Sequence, residues 1–325
     1  MKITEQQNTQ IAHLLGWSEY LTQPLMQHGS DRSYFRLTNR HDNSTVIHMI
    51  YETEKAENEY YHHIQEFLNN LGFSVPEIVF YLPEAKWIFL QDLGNTTLYA
   101  LKDTIHTAEH KKLYCSILDQ VTLLYSKGYE HYKKNPFKTA GQFDYQLYQW
   151  EQKYFTDNYL IRYRNMEGIV PELQMDFDIV ASMLANCPNR IVHRDLQSKN
   201  IMIHDRKPYF IDFQGLRPGL PEYDLASLIY DPYMNLDDDL REELIRYCEH
   251  TMIFQWRRSS TEIFRKIFIF CSIQRILQVL GAYCFLGLQK NKREFLQYIP
   301  VAETILLKQL EKINILHPLI KLLSC

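Results

Sequence analysis

A histidine, an arginine and an aspartate adjoin at His193-Arg194-Asp195. Asn200 follows five positions after the aspartate, and Asp212 lies 17 positions on, inside the apolar run Tyr-Phe-Ile-Asp-Phe. These are the residue types that transfer of a phosphoryl group requires. A carboxylate must orient the attacking hydroxyl and accept its proton, and oxygen ligands must hold Mg²⁺ on the phosphates. Asp195 suits the first role; Asn200 and Asp212 suit the second. A lone aspartate or asparagine in a loop is ordinarily a turn former. Here the run H-R-D-L-x-x-x-N is complete, and a hairpin-sized insert, with strands around Ile201–Ile203 and Tyr209–Ile211, leads to the second aspartate. Phe210, Ile211 and Phe213 bury that strand and fix the direction of the Asp212 carboxylate.

Other residues would surround this set. Asp224, in Pro-Glu-Tyr-Asp-Leu-Ala ahead of a helical run, reads as a helix N-cap that also braces the loop from behind. His193 is its companion in that supporting role. Gly29, Ser30, Asp31, Arg32 and Ser33, between two strands, can cradle phosphates through backbone N–H groups and hydroxyls, although a plain hairpin turn has the same composition. Gln91 and Leu93, where a buried strand runs into a polar turn, would offer backbone groups to a nucleotide base. Trp150 and Glu151 sit in an aromatic helical segment; such stripes are usually core, but an aromatic beside a carboxylate also suits a sugar ring. Arg275, in an apolar helix, is expected to be an ion-pair partner or a substrate anchor, since it will not be buried unpaired.

The elements that must position these residues follow from periodicity. A short helix carries Ile11, Leu14 and Leu15 on one face. Strands are expected at 24–28, 34–37 and 45–50, then a helix over 55–71 closed by Gly72, then strands at 75–81 and 87–90. Beyond Asp92 the pattern is helical, at about 107–126, 141–163, 171–185, 223–230, 237–256, 261–288 and 292–314. This predicts an α+β chain of two lobes: a small antiparallel-sheet lobe over 1–91 and a mostly helical lobe over 92–325 that carries the loop and the substrate site. The hinge falls near Gln91 to Gly94.

With 325 residues, 46% apolar and 23% charged, the chain has ample material for a core. A net charge of -4 and a pI near 6.4 give no reason to expect nucleic acid or a membrane surface as partner. Six cysteines, at 115, 187, 248, 271, 284 and 325, show no metal-like spacing and are expected to be reduced. The start lacks a signal-peptide pattern, and the apolar stretch Ile267–Leu288 is interrupted by Gln274, Arg275 and Gln278, so a buried helix in a cytoplasmic protein is expected.

The stretches HRDLQSKNIM, FIDFQGLRPG and YDLASLIYD resemble the aminoglycoside phosphotransferase/choline kinase group within the protein-kinase-like fold. GSDRSYFRL, IFLQDLGNTTLY, YQWEQKYFTDNYL and QRILQVLGAY are most similar to the bacterial anomeric kinases that act on N-acetylmuramate and N-acetylglucosamine in peptidoglycan recycling. The resemblance covers about residues 20–310. It implies ATP and Mg²⁺ as cofactors, Asp195 as base, Asn200 and Asp212 as metal ligands, 29–33 as the phosphate loop and an amino sugar as the small-molecule partner. Aminoglycoside or choline-type acceptors are the alternative, with the acidic run Asp237–Asp239, Glu242 and Glu243 as the cation-binding candidate; a nucleotide-binding pseudokinase is the other.

The chain departs from the group's pattern in two places. Gln214 stands where protein kinases have glycine after Asp-Phe, and no hydroxyl residue lies between Asp212 and Pro221, which argues against a phosphorylated activation segment. The third strand lacks its phosphate-clamping lysine: His48 and Met49 occupy the candidate positions, Lys55 lies beyond, and Arg32 or Arg36 could supply the charge. Glu57 or Glu59 would orient that cation.

Overall fold

The computed structural model describes residues 4–25, 32–52, 56–104, 107–139, 141–256 and 260–324. Its N-terminal lobe is a five-stranded antiparallel sheet in the order β1 (Tyr20–Pro24), β2 (Ser33–Asn39), β3 (Thr45–Ile50), β5 (Trp87–Gln91), β4 (Ile78–Leu82). Alternation along β3 sorts its side chains onto two faces. Val46 and Ile50 pack with Phe35, Leu37, Trp87 and Phe89 in a small cluster that includes Ile11 of helix α1 (Glu5–Leu15). Met49, with Ile88 and Leu90 of β5, joins the main core, which also takes Ile64, Phe67 and Leu68 of α2 (Tyr61–Asn70). α1 begins with a capping box, Thr4 and Gln7 satisfying each other's backbone N–H groups, and ends at Gly16 in the left-handed region.

The expected first strand at 24–28 sits earlier: β1 covers Tyr20–Pro24, and 26–28 lie outside the described residues. Its polar, exposed edge carries little hydrophobic alternation, so periodicity misplaces it.

The C-terminal lobe is mostly helical, with α3 (Thr107–Leu123), α4 (Tyr129–Lys134), α5 (Tyr145–Phe155), α6 (Val170–Ala185), α7 (Pro221–Ile229), α8 (Asp238–Trp256), α9 (Thr261–Cys284), α10 (Ile299–Leu310) and α11 (His317–Leu323). Two short antiparallel pairs interrupt it: β6 (Arg190–Val192) with β9 (Arg217–Gly219), and β7 (Ile201–His204) with β8 (Lys207–Phe210). The β7–β8 hairpin is the insert expected from the sequence; β6 and β9 are not, because three residues are too few to show a period. α9 and the π-helical turn that extends it to Gln289 are long and apolar enough to cross a bilayer, but 78% of its most apolar stretch is buried, as in a core helix. It crosses the end of α5 closely at Gly281, where a Cβ would lie 2.9 Å from the Tyr154 carbonyl oxygen. Arg275, on the same helix, lines the cleft between the lobes. Cys115, Cys187, Cys248, Cys271 and Cys284 are free thiols.

Candidate active site

Asp195, Asn200 and Asp212 come together on one wall of a cleft of about 370 Å³ between the lobes. The sheet side and hinge supply Ile47, Leu90 and residues 91–94; the helical lobe supplies Arg275, Gln278 and Tyr283. The loop that carries Asp195 is pinned from beneath. Asp224 accepts the backbone N–H groups of His193 and Arg194 at 2.6 and 2.8 Å, and the Tyr125 hydroxyl donates to it at 3.2 Å. Two successive amides aimed at one carboxylate hold Arg194 at φ +79°, a left-handed conformation uncommon outside glycine, and this turns Asp195 outward. Asp224 does not cap its helix, contrary to expectation. Leu220 is the N-cap of α7, and Asp224 lies within the first turn, fully buried, with its carboxylate on the loop. His193 donates its Nε2–H to the Ile211 carbonyl at 3.1 Å and ties the loop to the segment that bears Asp212. Burial lowers its pKa, so the ring is neutral.

Burial pushes the Asp224 carboxyl up to about 7, against the pull of the two amides and the tyrosine. A carboxyl with a higher pKa folded than unfolded holds its proton more tightly in the fold. Its contribution to stability is therefore complete below the unfolded value of about 4 and is lost as pH rises through 7. Asp224→Asn should melt below wild type at every pH, because its amide NH₂ meets a backbone N–H. The gap is expected to be widest at and below about pH 4, to narrow between 4 and 7 and to be constant beyond. Paired thermal melts across that range test this, and a gap independent of pH would refute it.

The Asp195 carboxylate lies 3.3 Å from Arg275 Nη1 and 3.8 Å from Arg194 Nη1. Burial alone would raise its pKa; Arg194 and Arg275, ahead of His193 and Arg217, outweigh it and hold the group below its usual value. Asp195 is therefore an ionised acceptor at neutral pH, as a base must be. Asn200 donates its amide to the Asp195 carbonyl at 3.0 Å, which leaves the side-chain oxygen as a ligand atom. Asp212, at φ +62°, accepts from Arg32 at 2.7 Å and from Gln214 at 2.9 Å. Both bonds fall on Oδ1, and Oδ2 carries no hydrogen bond among the described residues. A carboxylate oxygen and an amide oxygen facing one cleft form an all-oxygen set of the kind Mg²⁺ takes, with water completing the shell.

The third-strand question is answered by the register. His48 pairs with Phe89 across β3–β5 and stacks on its ring at 4.5 Å, on the face away from the cleft. Burial drives its pKa down to about 4, and neither ring nitrogen has a hydrogen-bond partner among the described residues, so it is a neutral core residue. Met49 is fully buried in the main core, and Lys55 is outside the described residues. Arg36 is spent on the hinge, with Asp92 at 2.5 and 2.9 Å and the Gly94 carbonyl at 3.0 Å. Of the candidates among the described residues, Arg32 is the one that pairs with Asp212. Glu57 pairs with Arg217 at 2.9 Å and lies 3.8 Å from Arg194, so it steadies the loop arginine, while Glu59 is exposed.

Gln91 and Leu93 line the cleft, and the Leu93 carbonyl accepts from His204 at 3.2 Å. Of the expected phosphate loop, Gly29, Ser30 and Asp31 lie outside the described residues, and Arg32 and Ser33 are seen.

Trp150 and Glu151 depart from expectation. Trp150 is half-exposed on the outer face of α5, stacked on Tyr154. Glu151, one helical step round, is buried between α5 and α9, where it accepts from Tyr223 at 2.8 Å and Gln274 at 3.0 Å. Neither is among the described residues that line the cleft. Glu151 acts at one remove, since the Tyr223 ring that it fixes lies 5.8 Å from the Arg275 guanidinium. Arg275 faces the cleft and is held by Gln278 at 2.7 Å as well as by Asp195.

Residues without a marked role in the sequence also shape the site. Asp231, just past α7, accepts from the N–H groups of Ser198 and Tyr233 and fixes the far side of the loop. Gln214, noticed only as a missing glycine, donates to Asp212. Its signal was the polar residue directly after the Asp-Phe pair.

Residues 23–259 match the profile described as the phosphotransferase enzyme family. Over 275 residues the chain is 25% identical to the N-acetylmuramate/N-acetylglucosamine kinase of Neisseria meningitidis serogroup B, spanning 83% of this chain and 79% of that one. The protein of the same name from Pseudomonas aeruginosa is 24% identical over 301 residues, 88% and 83% of the two chains. Among solved structures, the choline kinase of Streptococcus pneumoniae has the same fold, with a TM-score of 0.62 at 16% identity over 92% of this chain and 96% of that one.

Proposed function

This chain belongs to the phosphotransferase enzyme family, and from that premise we propose that it is an ATP- and Mg²⁺-dependent kinase for an amino sugar of the N-acetylmuramate/N-acetylglucosamine class. The acceptor group is the anomeric hydroxyl, and the setting is cytoplasmic recycling of cell-wall sugars. Residues 1–91 cover the nucleotide and 92–325 carry the chemistry.

The observation that supports a sugar over a polycation is the charge of the cleft. Its lining among the described residues includes three carboxylates, Asp92, Asp195 and Asp212, and each already faces an arginine: Arg36, Arg275 and Arg32. Lys199 adds positive charge to the acceptor half. A polycationic aminoglycoside would need carboxylates in surplus. The acidic run 237–239 does not provide them. Asp237 accepts the Leu240 N–H at the start of α8, and Asp238 is held by Arg241 and Lys308, away from the cleft. The pseudokinase alternative rested on the missing lysine, and Arg32 places a cation at that end of the site.

In this reading the sugar hydroxyl donates to the Asp195 carboxylate and its oxygen attacks the γ-phosphorus in line. The new O–P bond forms as the bond from the γ-phosphorus to the β,γ-bridging oxygen breaks, ADP leaves, and the hydroxyl proton passes to Asp195 and on to solvent. Asn200 and Asp212 would hold the Mg²⁺ that neutralises the phosphate charge. An anomeric hydroxyl is more acidic than an ordinary alcohol, so a base weakened by two arginines suffices, and positioning provides most of the rate.

ATP consumption over a panel of amino sugars, plain sugars, amino alcohols and aminoglycosides tests the proposal. Turnover is expected with N-acetylated amino sugars and is expected to vanish with their methyl glycosides, in which the anomeric oxygen is blocked. Turnover of the glycosides or of kanamycin would overturn it, and silence across the panel despite tight Mg·ATP binding would point to a binding module.

A further inference from the structure

Three separate chain segments converge on Lys199. Its Nζ lies 3.7 Å from the centre of the Tyr233 ring, 4.9 Å from Tyr99, 5.1 Å from Tyr298 and 5.5 Å from Phe295, all within cation–π range. Tyr99 follows the hinge, Tyr233 follows α7, and Phe295 and Tyr298 precede α10. The box is built: Tyr99 and Tyr298 share a hydrogen bond of 2.9 Å, and Tyr233 meets Tyr298 edge-on at 4.6 Å. Asp231 sets its register, because its two oxygens take the N–H groups of Ser198, beside the lysine, and of Tyr233, beneath it.

Lys199, Tyr233 and Phe295 line the same cleft as Asp195. No carboxylate of the described residues pairs with the ammonium; the nearest negative influences, Asp231 and Glu294, act from beyond ion-pair distance. A lysine laid on aromatic rings is often mere packing. This one stands in the acceptor half of a reaction cleft, uncompensated by an anion, inside a box of the chemistry that binds organic ammonium ions.

We propose that Lys199 is the specificity-determining residue of the acceptor pocket: an internal cation that fills the aromatic box, shuts out ammonium-bearing acceptors and receives an acidic substituent of the sugar. The identity of the sugar rests on the function proposed above; the exclusion of organic cations does not.

The test compares wild type, Lys199→Met and Lys199→Arg, with melting temperature and Mg·ATP affinity as controls of folding. KM is measured for N-acetylmuramate, which bears a carboxylate, and for neutral N-acetylglucosamine. Losing a charge-assisted contact should raise KM for the acidic sugar about tenfold more than KM for the neutral one in Lys199→Met, with Lys199→Arg restoring the preference. Equal shifts in both, or none, would overturn the proposal. If the wild type turns over neither sugar, calorimetry with choline decides. Binding to Lys199→Met and not to wild type supports the internal-cation role, and any other pattern of choline binding refutes it.

Discussion

Replacing Asp195 with asparagine is expected to lower kcat by about a thousandfold while Mg·ATP binds as before, an effect in the middle of the range for a positioned general base. The shape of the site makes this substitution clean. Asp195 contributes its backbone carbonyl to Asn200 and its carboxylate to the cleft, so the asparagine leaves the loop geometry untouched. Arg275 and Arg194 face the carboxylate, yet both keep other partners: Gln278 for the first and Glu57 for the second. The loop itself is carried by Asp224 and Asp231 from below. Loss of rate with KM for ATP unchanged would mark an interaction made only as the hydroxyl is attacked. Near-normal turnover on the true acceptor would remove Asp195 from the role of base.

That Asp195, Asn200 and Asp212 meet in one cleft was legible because their spacing is local in sequence. Asp195 and Asn200 share one loop, and Asp212 follows after a single hairpin, so their spacing survives without any knowledge of tertiary contacts. The two-lobed α+β architecture was legible for a related reason: most period-two segments lie before the hinge and the segments after it are mostly helical. What supports the site was legible only in part: Asp224 and His193 were expected behind the loop and lie there, whereas Asp231 was not expected. Asp231 lies 33 positions after Ser198, and nothing in a bare aspartate after a helix announces two backbone amides. The box around Lys199 draws rings from residues 99, 233, 295 and 298, a juxtaposition that only the folded chain makes.

Trp150 and Glu151 show the opposite failure. They are adjacent in one aromatic segment of the sequence, but a helix turns each residue by about 100° and sends one to solvent and the other into the core. Arg32 stands among the sequence candidates for the charge together with His48, Met49, Lys55 and Arg36, and only the fold separates them: Met49 and His48 are buried in two different cores, and Arg32, on the approach to β2, meets Asp212.

Asp212→Asn is expected to reduce kcat at least about a hundredfold and to raise the Mg²⁺ concentration needed for half-maximal rate, while leaving the fold intact. The backbone supports this choice. Asp212 sits in the left-handed region, which asparagine tolerates as well as aspartate does, whereas alanine would add strain there. Arg32 and Gln214 both donate to Oδ1, so an asparagine oriented the same way still accepts both bonds. The substitution then replaces only Oδ2, the oxygen available to a cation, with an NH₂ group that cannot bind one. Rates are measured across a Mg²⁺ titration at saturating ATP, beside a melting curve. A rightward shift in the Mg²⁺ dependence with an unchanged melt is the predicted result. An unaltered Mg²⁺ dependence would mean that Asp212 serves to anchor Arg32 and that the metal is held elsewhere.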